Sequence, residues 1–318
     1  MNQPLVTIGL TTYNATDSVK RAIKSALAQT WRPIEIIICD DCSSDTTPAI
    51  LSKIAEIQPE IRLFRNSINS GVATSRNQII KEARGEYIAF FDDDDESSPD
   101  RIAIQVNRIV TYEKEFSNGA PVICHAARQV IYPNGMKRIE RTMGERIGAP
   151  APFGLAVAHR ILMGTPLVDG TGACPTCSQM ARTSTYRDLG GFDPALRRGE
   201  DTEFNIRLAQ AGGHFAGIGK PLVSQTMTQT SDKSLEDEHR YMLIIMKKHR
   251  DIIEETGQYN FCLRWLEGKQ AWLKGDRVRF GYFLIRTALT NPVQTFRRLS
   301  ESLPNLALNR AFRKFHDT

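Results

Sequence analysis

Apolar residues in the first hundred positions alternate between short continuous runs and helical stripes. Residues 5–10 form an unbroken, β-rich run; Val19, Ala22, Ile23, Ala26 and Leu27 then recur at three- and four-residue spacing. That spacing predicts a helix with one apolar face. Residues 34–39 predict a second strand. A helix follows from about Asp45, a residue suited to an N-cap, through Ala49, Ile50, Ile54 and Ile57. Residues 61–64 predict a third strand, 72–83 a helix stopped by Gly85, and 87–91 a fourth strand. Strands that are apolar throughout, rather than at every second position, are covered on both faces. The expected class is therefore α/β, with a mostly parallel sheet and helices on both sides.

Beyond Asp95 the pattern predicts a helix with Pro99 in its first turn and Ile102, Val106, Ile109 and Val110 inward. Residues 121–132 are strand-like and end at Pro133-Asn134-Gly135, a turn signal. Residues 140–172 are rich in Gly and Pro and carry no clear period. A second ordered block, 174–223, contains the turn Gly190-Gly191-Phe192-Asp193-Pro194 and a helix through Phe204, Leu208 and Ala211. Past Ser231 the pattern is helical, over roughly 234–255, 259–273, 276–290 and 304–316. The expected division is an α/β domain over 1–230 and a helical subdomain over 231–318. No internal repeat or low-complexity tract interrupts it.

The composition is that of a folded protein: 318 residues, 41 % hydrophobic and 24 % charged, which excludes a disordered tail or fibrous repeat. No apolar run approaches the ~20 residues of a membrane span. The N-terminus lacks the basic and apolar blocks of a secretory signal, so the expected location is cytoplasmic, with a peripheral place on the inner face of the membrane as a further expectation. The net charge of +5 is uneven: residues 261–318 hold 11 Lys plus Arg against 4 Asp plus Glu, so the rest of the chain is mildly acidic. That argues against nucleic acid as a partner of the main domain and for a separate role of the basic segment. The six cysteines include two C-x-x-C pairs, but 131 residues separate the pairs, far more than a zinc ribbon allows. Reduced thiols, without zinc or disulfides, are expected.

Candidate chemistry concentrates in three acidic clusters. Phe90-Phe91 leads into Asp92, Asp93, Asp94, Asp95 and Glu96, five acids at the end of a predicted strand. So many carboxylates repel one another unless a cation neutralises them, and open α/β sheets bind ligands beyond the carboxyl ends of their strands. Oxygen ligands suit Mg²⁺ or Mn²⁺. The competing reading is a solvated turn whose charges favour a helix N-terminus. Glu200-Asp201 follows Gly199 and Asp40-Asp41 ends the second strand; each also reads as simple helix-start or turn chemistry.

The motifs together resemble family 2 glycosyltransferases of the GT-A fold. Val6-Thr7-Ile8-Gly9-Leu10-Thr11-Thr12-Tyr13-Asn14 is similar to that family's first strand and nucleotide-contacting turn. Gln29-Thr30-Trp31 and the run Glu35-Ile36-Ile37-Ile38-Cys39-Asp40-Asp41 are similar to its second-strand motif. Asn69-Ser70-Gly71, Ser75-Arg76-Asn77 and Gly85 through Asp95 resemble the approach to its D-x-D motif, and Gly190-Gly191-Phe192-Asp193 with Gly199-Glu200-Asp201 its acceptor-side motif. The resemblance implies that Thr11 and Tyr13 flank a nucleobase, Asp41 accepts from a uracil N–H, Arg76 approaches the diphosphate, Asp92 contacts the ribose with Asp93 beside it, and Asp94 ligates Mn²⁺ or Mg²⁺. Asp201 is then the general base, with Glu200 alongside. The implied reaction is a single inverting displacement that moves a sugar from a nucleoside diphosphate, UDP first among them, to a hydroxyl of a glycan or lipid-linked glycan in surface polysaccharide synthesis. Residues 223–231 lack the His that many relatives carry near the metal.

Three other readings stand beside this one. A nucleotidyltransferase would carry an N-terminal Gly-rich loop, but residues 5–20 contain only Gly9. A phosphohydrolase with an Asp nucleophile would place Thr or Val where Glu96 stands. The third is a non-catalytic nucleotide-sugar-binding module. In the basic segment, Leu308, Ala311, Phe312 and Phe315 form a stripe among Arg310, Arg313 and Lys314, as do Phe280, Phe283, Leu284 and Leu289 among Arg277, Arg279 and Arg286. The stripes read either as the core of a helical subdomain, as a surface for anionic lipid, or as a partner-protein interface. The sequence sets no oligomeric state.

Overall fold

The computed structural model describes residues 3–132, 134–227 and 235–302. The chain separates into two compact units, Met1–Ile161 with Thr165–Ser231, and Leu162–Gly164 with Asp232–Thr318. The expected helix over 304–316, the stripe at Leu308–Phe315, Pro133 of the expected turn, and residues 228–231 lie outside the described residues.

Along the chain run β1 (Val6–Thr12), α1 (Val19–Leu27), β2 (Ile34–Asp40), α2 (Thr47–Ala55), β3 (Ile61–Arg65), α3 (Val72–Glu82) and β4 (Tyr87–Asp92). Then come β5 (Glu96–Ser97), α4 (Arg101–Tyr112), β6 (Val122–Ile131), β7 (Lys137–Glu140), α5 (Leu155–Met163), β8 (Gln179–Arg182), α6 (Thr183–Asp188), α7 (Glu200–Gln210), β9 (His214–Phe215) and β10 (Ile218–Thr226). The sheet order is β3-β2-β1-β4-β8-β6-β10-β5, with β7 and β9 also pairing β6. The first four strands are mutually parallel. Every residue of β1 and β2 is buried, as parallel strands between two helical layers require, although Thr7 and Glu35 interrupt their apolar runs. Val19, Ala22, Ile23 and Ala26 of α1 pack into the same core as Ile8, Ile36 and Phe91.

After β4 the sheet becomes mixed. β8 runs antiparallel to both β4 and β6, and β10 is parallel to β6. The sequence expectation of a helix opening soon after Asp95 is corrected here. Glu96 and Ser97 first pair antiparallel with Ser224 and Val223, and the helix begins only at Arg101, beyond Pro99 rather than around it. Its first turn is held from outside: Gln29 Oε1 accepts the Ile102 N–H at 3.1 Å, filling one of the donors that a helix start leaves open. The stretch 140–172, which carries no readable period, contains α5.

The second unit contains α8 (Leu235–Lys248), α9 (Arg250–Glu254), α10 (Tyr259–Leu273), α11 (Arg277–Thr290) and α12 (Pro292–Ser302). The Asp276 side chain caps α11, accepting from Arg279 N at 2.9 Å. The stripe expected on this helix is corrected as well. Phe280 packs on Trp272, ring centroids 5.0 Å apart, and Phe283 lies against Gly268. Phe280, Phe283 and Leu284 are partly buried, whereas Leu289 is exposed and belongs to a different face. No helix among the described residues is long and apolar enough to cross a membrane.

Candidate active site

Register places the acidic clusters together. Thr11 pairs with Cys39 on one side and Asp92 on the other, and Thr12 pairs with Asp40. Three adjacent parallel strands therefore end at one edge, where the chain turns away and leaves a crevice. A cleft of about 240 Å³ opens there, lined by Thr11, Thr12, Tyr13, Asp41, Val72, Ser75, Arg76, Asp92, Asp93 and Asp94. Seven of the sequence-predicted residues thus share one cleft. Thr12 and Ser75, quoted within motifs, and Val72 were given no role from the sequence.

Each side chain is held by an identifiable contact. Asp41 is buried and accepts from Asn66 Nδ2 at 2.6 Å, Ser70 N at 2.9 Å and Gly71 N at 2.8 Å. Gly71 has φ +90°, a conformation that L side chains rarely adopt. Only one of these three bonds falls on Asp41 Oδ2, so that oxygen keeps acceptor capacity. Asp93 Oδ2 accepts the Tyr13 N–H at 3.1 Å and fixes the turn after β1, while the Tyr13 ring stays 48 % exposed. Burial pushes the Asp93 carboxyl up to about 7, with Asp94 and Asp92 adding to the rise. Asp94 lines the cleft, and its carbonyl accepts from Arg21 Nη2 at 3.1 Å.

Arg76 connects the cleft to α7. It is 4 % exposed; Nη2 reaches Asp92 Oδ1 at 3.2 Å and Nη1 reaches Glu200 Oε1 at 2.5 Å. Burial acts to lower the guanidinium's pKa, but Asp92, Glu200 and Asp201 outweigh it and raise it. Burial raises the Glu200 carboxyl against the opposing pull of Arg76. Gly199, at φ +74°, turns the chain into α7. Asn77 anchors the preceding loop, accepting from Phe192 N and donating to Phe192 O, both at 2.8 Å. Asp201 is partly buried and not among the cleft-lining residues; its Oδ1 accepts from Thr202 N at 2.6 Å.

Behind the acid run the structure shows what the sequence did not. Arg101 is fully buried: Nη2 donates to Phe90 O and Nη1 to Ser97 Oγ, both at 2.8 Å, and Nε donates to Gln105 at 3.0 Å. It ties the two ends of the acidic turn to one point. Asp95 is also buried, with the Cys177 thiol and the Thr226 backbone as its polar neighbours. Its ligand atom, one of Asp92 and Cys177 Sγ all lie within 4.8 Å of one another. Burial, then Asp92 and Asp94, push the Asp95 carboxyl up to about 8, and burial holds the Cys177 thiol well above its usual range. Cys177 reaches this position because β8, which follows it, pairs with β4, an arrangement its C-x-x-C spacing does not encode. All six cysteines are free.

A parallel α/β half-sheet with carboxylates at its strand ends, continued by a mixed half that carries a second acid pair, defines the GT-A class of glycosyltransferase folds. The model described as Glycosyl transferase family 2 matches residues 7–182, and the chain belongs to that family. The putative glycosyltransferase EpsE of Bacillus subtilis is 32 % identical over 214 residues, covering 66 % of this chain and 68 % of that protein. The Escherichia coli protein WfaP, named as a UDP-Glc:alpha-D-GlcNAc-diphosphoundecaprenol beta-1,3-glucosyltransferase, is 41 % identical over 113 residues, 36 % of this chain and 44 % of its own. The succinoglycan biosynthesis protein ExoO of Rhizobium meliloti is 42 % identical over 33 % of this chain and 30 % of its own. The chain thus matches less than half the length of the latter two. Staphylococcus aureus TarS 1–349 in complex with UDP-GlcNAc shares the fold, with TM-score 0.60, 18 % identity and coverage of 94 % of this chain and 91 % of that one.

Proposed function

We propose that this chain transfers a sugar, with inversion, from a nucleoside diphosphate to a hydroxyl of a glycan or lipid-linked glycan in surface polysaccharide synthesis. The observation that carries this reading is the Arg76 bridge. One buried guanidinium holds Asp92 of the cleft and Glu200 of α7, which supports reading the donor-side carboxylates and the acceptor-side acids as parts of one site. A UDP donor is favoured because WfaP is named for UDP-Glc and TarS was solved with UDP and UDP-GlcNAc. The diphosphoundecaprenol in the name of WfaP favours a lipid-linked acceptor.

In this reading Thr11 and Tyr13 flank the base, the Tyr13 ring offering a stacking face. Asp41 Oδ2 accepts from the uracil N–H, Asp92 contacts the ribose, and Asp93 holds the Tyr13 turn in place. Arg76 faces the diphosphate from the cleft wall while bridging Asp92 and Glu200. A divalent cation fits the donor set: Asp92 and Asp94 offer hard oxygens at the cleft, within a run of adjacent acids. Asp94 would hold Mn²⁺ or Mg²⁺, with Asp92 beside it. When bound, such an ion neutralises charge on a departing diphosphate. Asp201 Oδ1 is occupied by Thr202 N, which leaves Oδ2 to take the proton of the acceptor hydroxyl as it attacks the anomeric carbon.

The test is transfer from UDP-glucose and UDP-GlcNAc to a diphosphoprenyl-linked sugar, with Mn²⁺ or with EDTA. Asp201→Asn is expected to lower turnover by about 10²–10⁴-fold while leaving donor affinity unchanged. Asp94→Ala is expected to remove the metal dependence of UDP binding. Normal transfer by Asp201→Asn would assign the base elsewhere, and UDP binding without turnover by the unmutated chain would indicate a binding module.

A further inference from the structure

The second unit carries large apolar side chains on α11 and α12 that the described residues do not cover. On α11, Val278 is 86 % exposed, Tyr282 55 %, Ile285 63 % and Leu289 80 %; on α12, Val293 is 79 % and Phe296 75 % exposed. The α11 members are spaced by four, three and four residues, so they share one face of the helix. This is the face opposite the packed one, since Phe280 and Phe283 turn toward Trp272 and Gly268 of α10.

Its margins are basic. Arg277, Arg279 and Arg286 are exposed along α11, and residues 277–300 contain no Asp or Glu. Arg277 sits 4.0 Å over the Trp272 ring, Arg286 Nη1 donates to Tyr282 Oη at 2.9 Å, and Arg279 pairs with Glu267 at 2.7 Å. All three guanidinium groups lie over aromatic rings, and Arg277 and Arg286 have no carboxylate among their described ion pairs. An apolar centre between cationic flanks is the arrangement of a helix lying in the boundary between lipid headgroups and acyl chains. A second copy of this chain fits worse, because two such faces would bring their arginines together.

We propose that the α11–α12 face docks on an anionic lipid surface, with Val278, Tyr282, Ile285, Leu289, Val293 and Phe296 entering the boundary region and Arg277 and Arg286 meeting the headgroups. This stands independently of the donor and acceptor assigned above. It would place a transferase beside a lipid-linked acceptor.

The test is co-sedimentation of the full chain with phosphatidylcholine vesicles, with and without about one-third phosphatidylglycerol, at low and high salt. Binding is expected only to the anionic vesicles and is expected to weaken as salt screens the arginines. Ile285→Asp with Leu289→Asp is expected to weaken it by roughly a hundredfold, and Arg277→Glu with Arg286→Glu by about tenfold or more. Both pairs are exposed, and an unchanged melting temperature confirms the fold. Absence of wild-type binding, equal binding to neutral vesicles, or undiminished binding by the Ile285→Asp/Leu289→Asp variant overturns the proposal. So does a lipid-free dimer that the same variant dissolves, since it would assign the face to a second copy.

Discussion

At the end of β4, ionic groups lie inside the protein; along α11, apolar groups lie outside it. Asp92, Arg76 and Glu200 form a chain of alternating charge with little exposure, anchored at both ends by secondary structure. Burying charge costs several kcal/mol per ion unless geometry and partners compensate, so such a group persists where its arrangement is needed. On α11 the imbalance has the opposite sign. Four large side chains remain in water although burying each would stabilise the fold by roughly 1.5–3 kcal/mol. The first region is organised by contacts within the chain. The second has a surface that the described residues do not complete.

The sharpest way to break this comparison is to remove the central cation. Arg76→Met should destabilise the protein by about 3–5 kcal/mol, measured by urea denaturation, because it leaves Asp92 and buried Glu200 facing each other without compensation. Arg76→Lys should cost less but still lower activity, since one ammonium cannot span both carboxylates as the planar fork does. A loss under about 1 kcal/mol for Arg76→Met would mean that the pair is dispensable to folding. Next in size, Ile38→Ala in the wholly buried β2 should cost about 2–5 kcal/mol.

His125 supplies a pH test of the buried half. It is 1 % exposed, and burial, with Arg128 and Arg101 nearby, lowers its pKa to about 3. An unfolded His titrates near 6.5, so between about pH 3 and 6.5 the unfolded chain binds more protons. Stability is therefore full above that window and lost as pH falls through it. At pH 5 the His125 contribution to that loss should be about 2 kcal/mol. His125→Leu should flatten the stability profile between pH 7 and 5 relative to wild type, and parallel profiles would refute the assignment. The smallest effect is expected on α11: Ile285→Ala should change stability by no more than about 0.5 kcal/mol. A large loss there would show that this face is covered within the folded chain.

Several elements were legible because their signals are local. β1 to β4 and the helices between them appear where the apolar period puts them. The motif residues Thr11, Tyr13, Asp41, Arg76, Asp92, Asp93 and Asp94 were brought together before any coordinates by the resemblance to family 2 glycosyltransferases, and they line one cleft. Elsewhere the local signal misled. Pro99 suggests a helix start, but Glu96 and Ser97 find partners in β10, more than a hundred residues away, and the helix waits until Arg101. Phe280, Phe283, Leu284 and Leu289 look alike in sequence; packing on α10 takes in the first three and leaves Leu289 out.

What the sequence alone determined is the alternating architecture, the family and the residue types available to the site, because periodicity, turn chemistry and motif spacing are properties of neighbouring residues. Only the tertiary structure decided that Arg76 joins β4 to α7, that Arg101 and Cys177 stand behind the acid run, and which side of α11 is left in solvent. Those outcomes depend on which distant segments compete for the same partner. Buried charges must find their complement wherever the fold supplies it, and apolar faces are covered only if another element arrives.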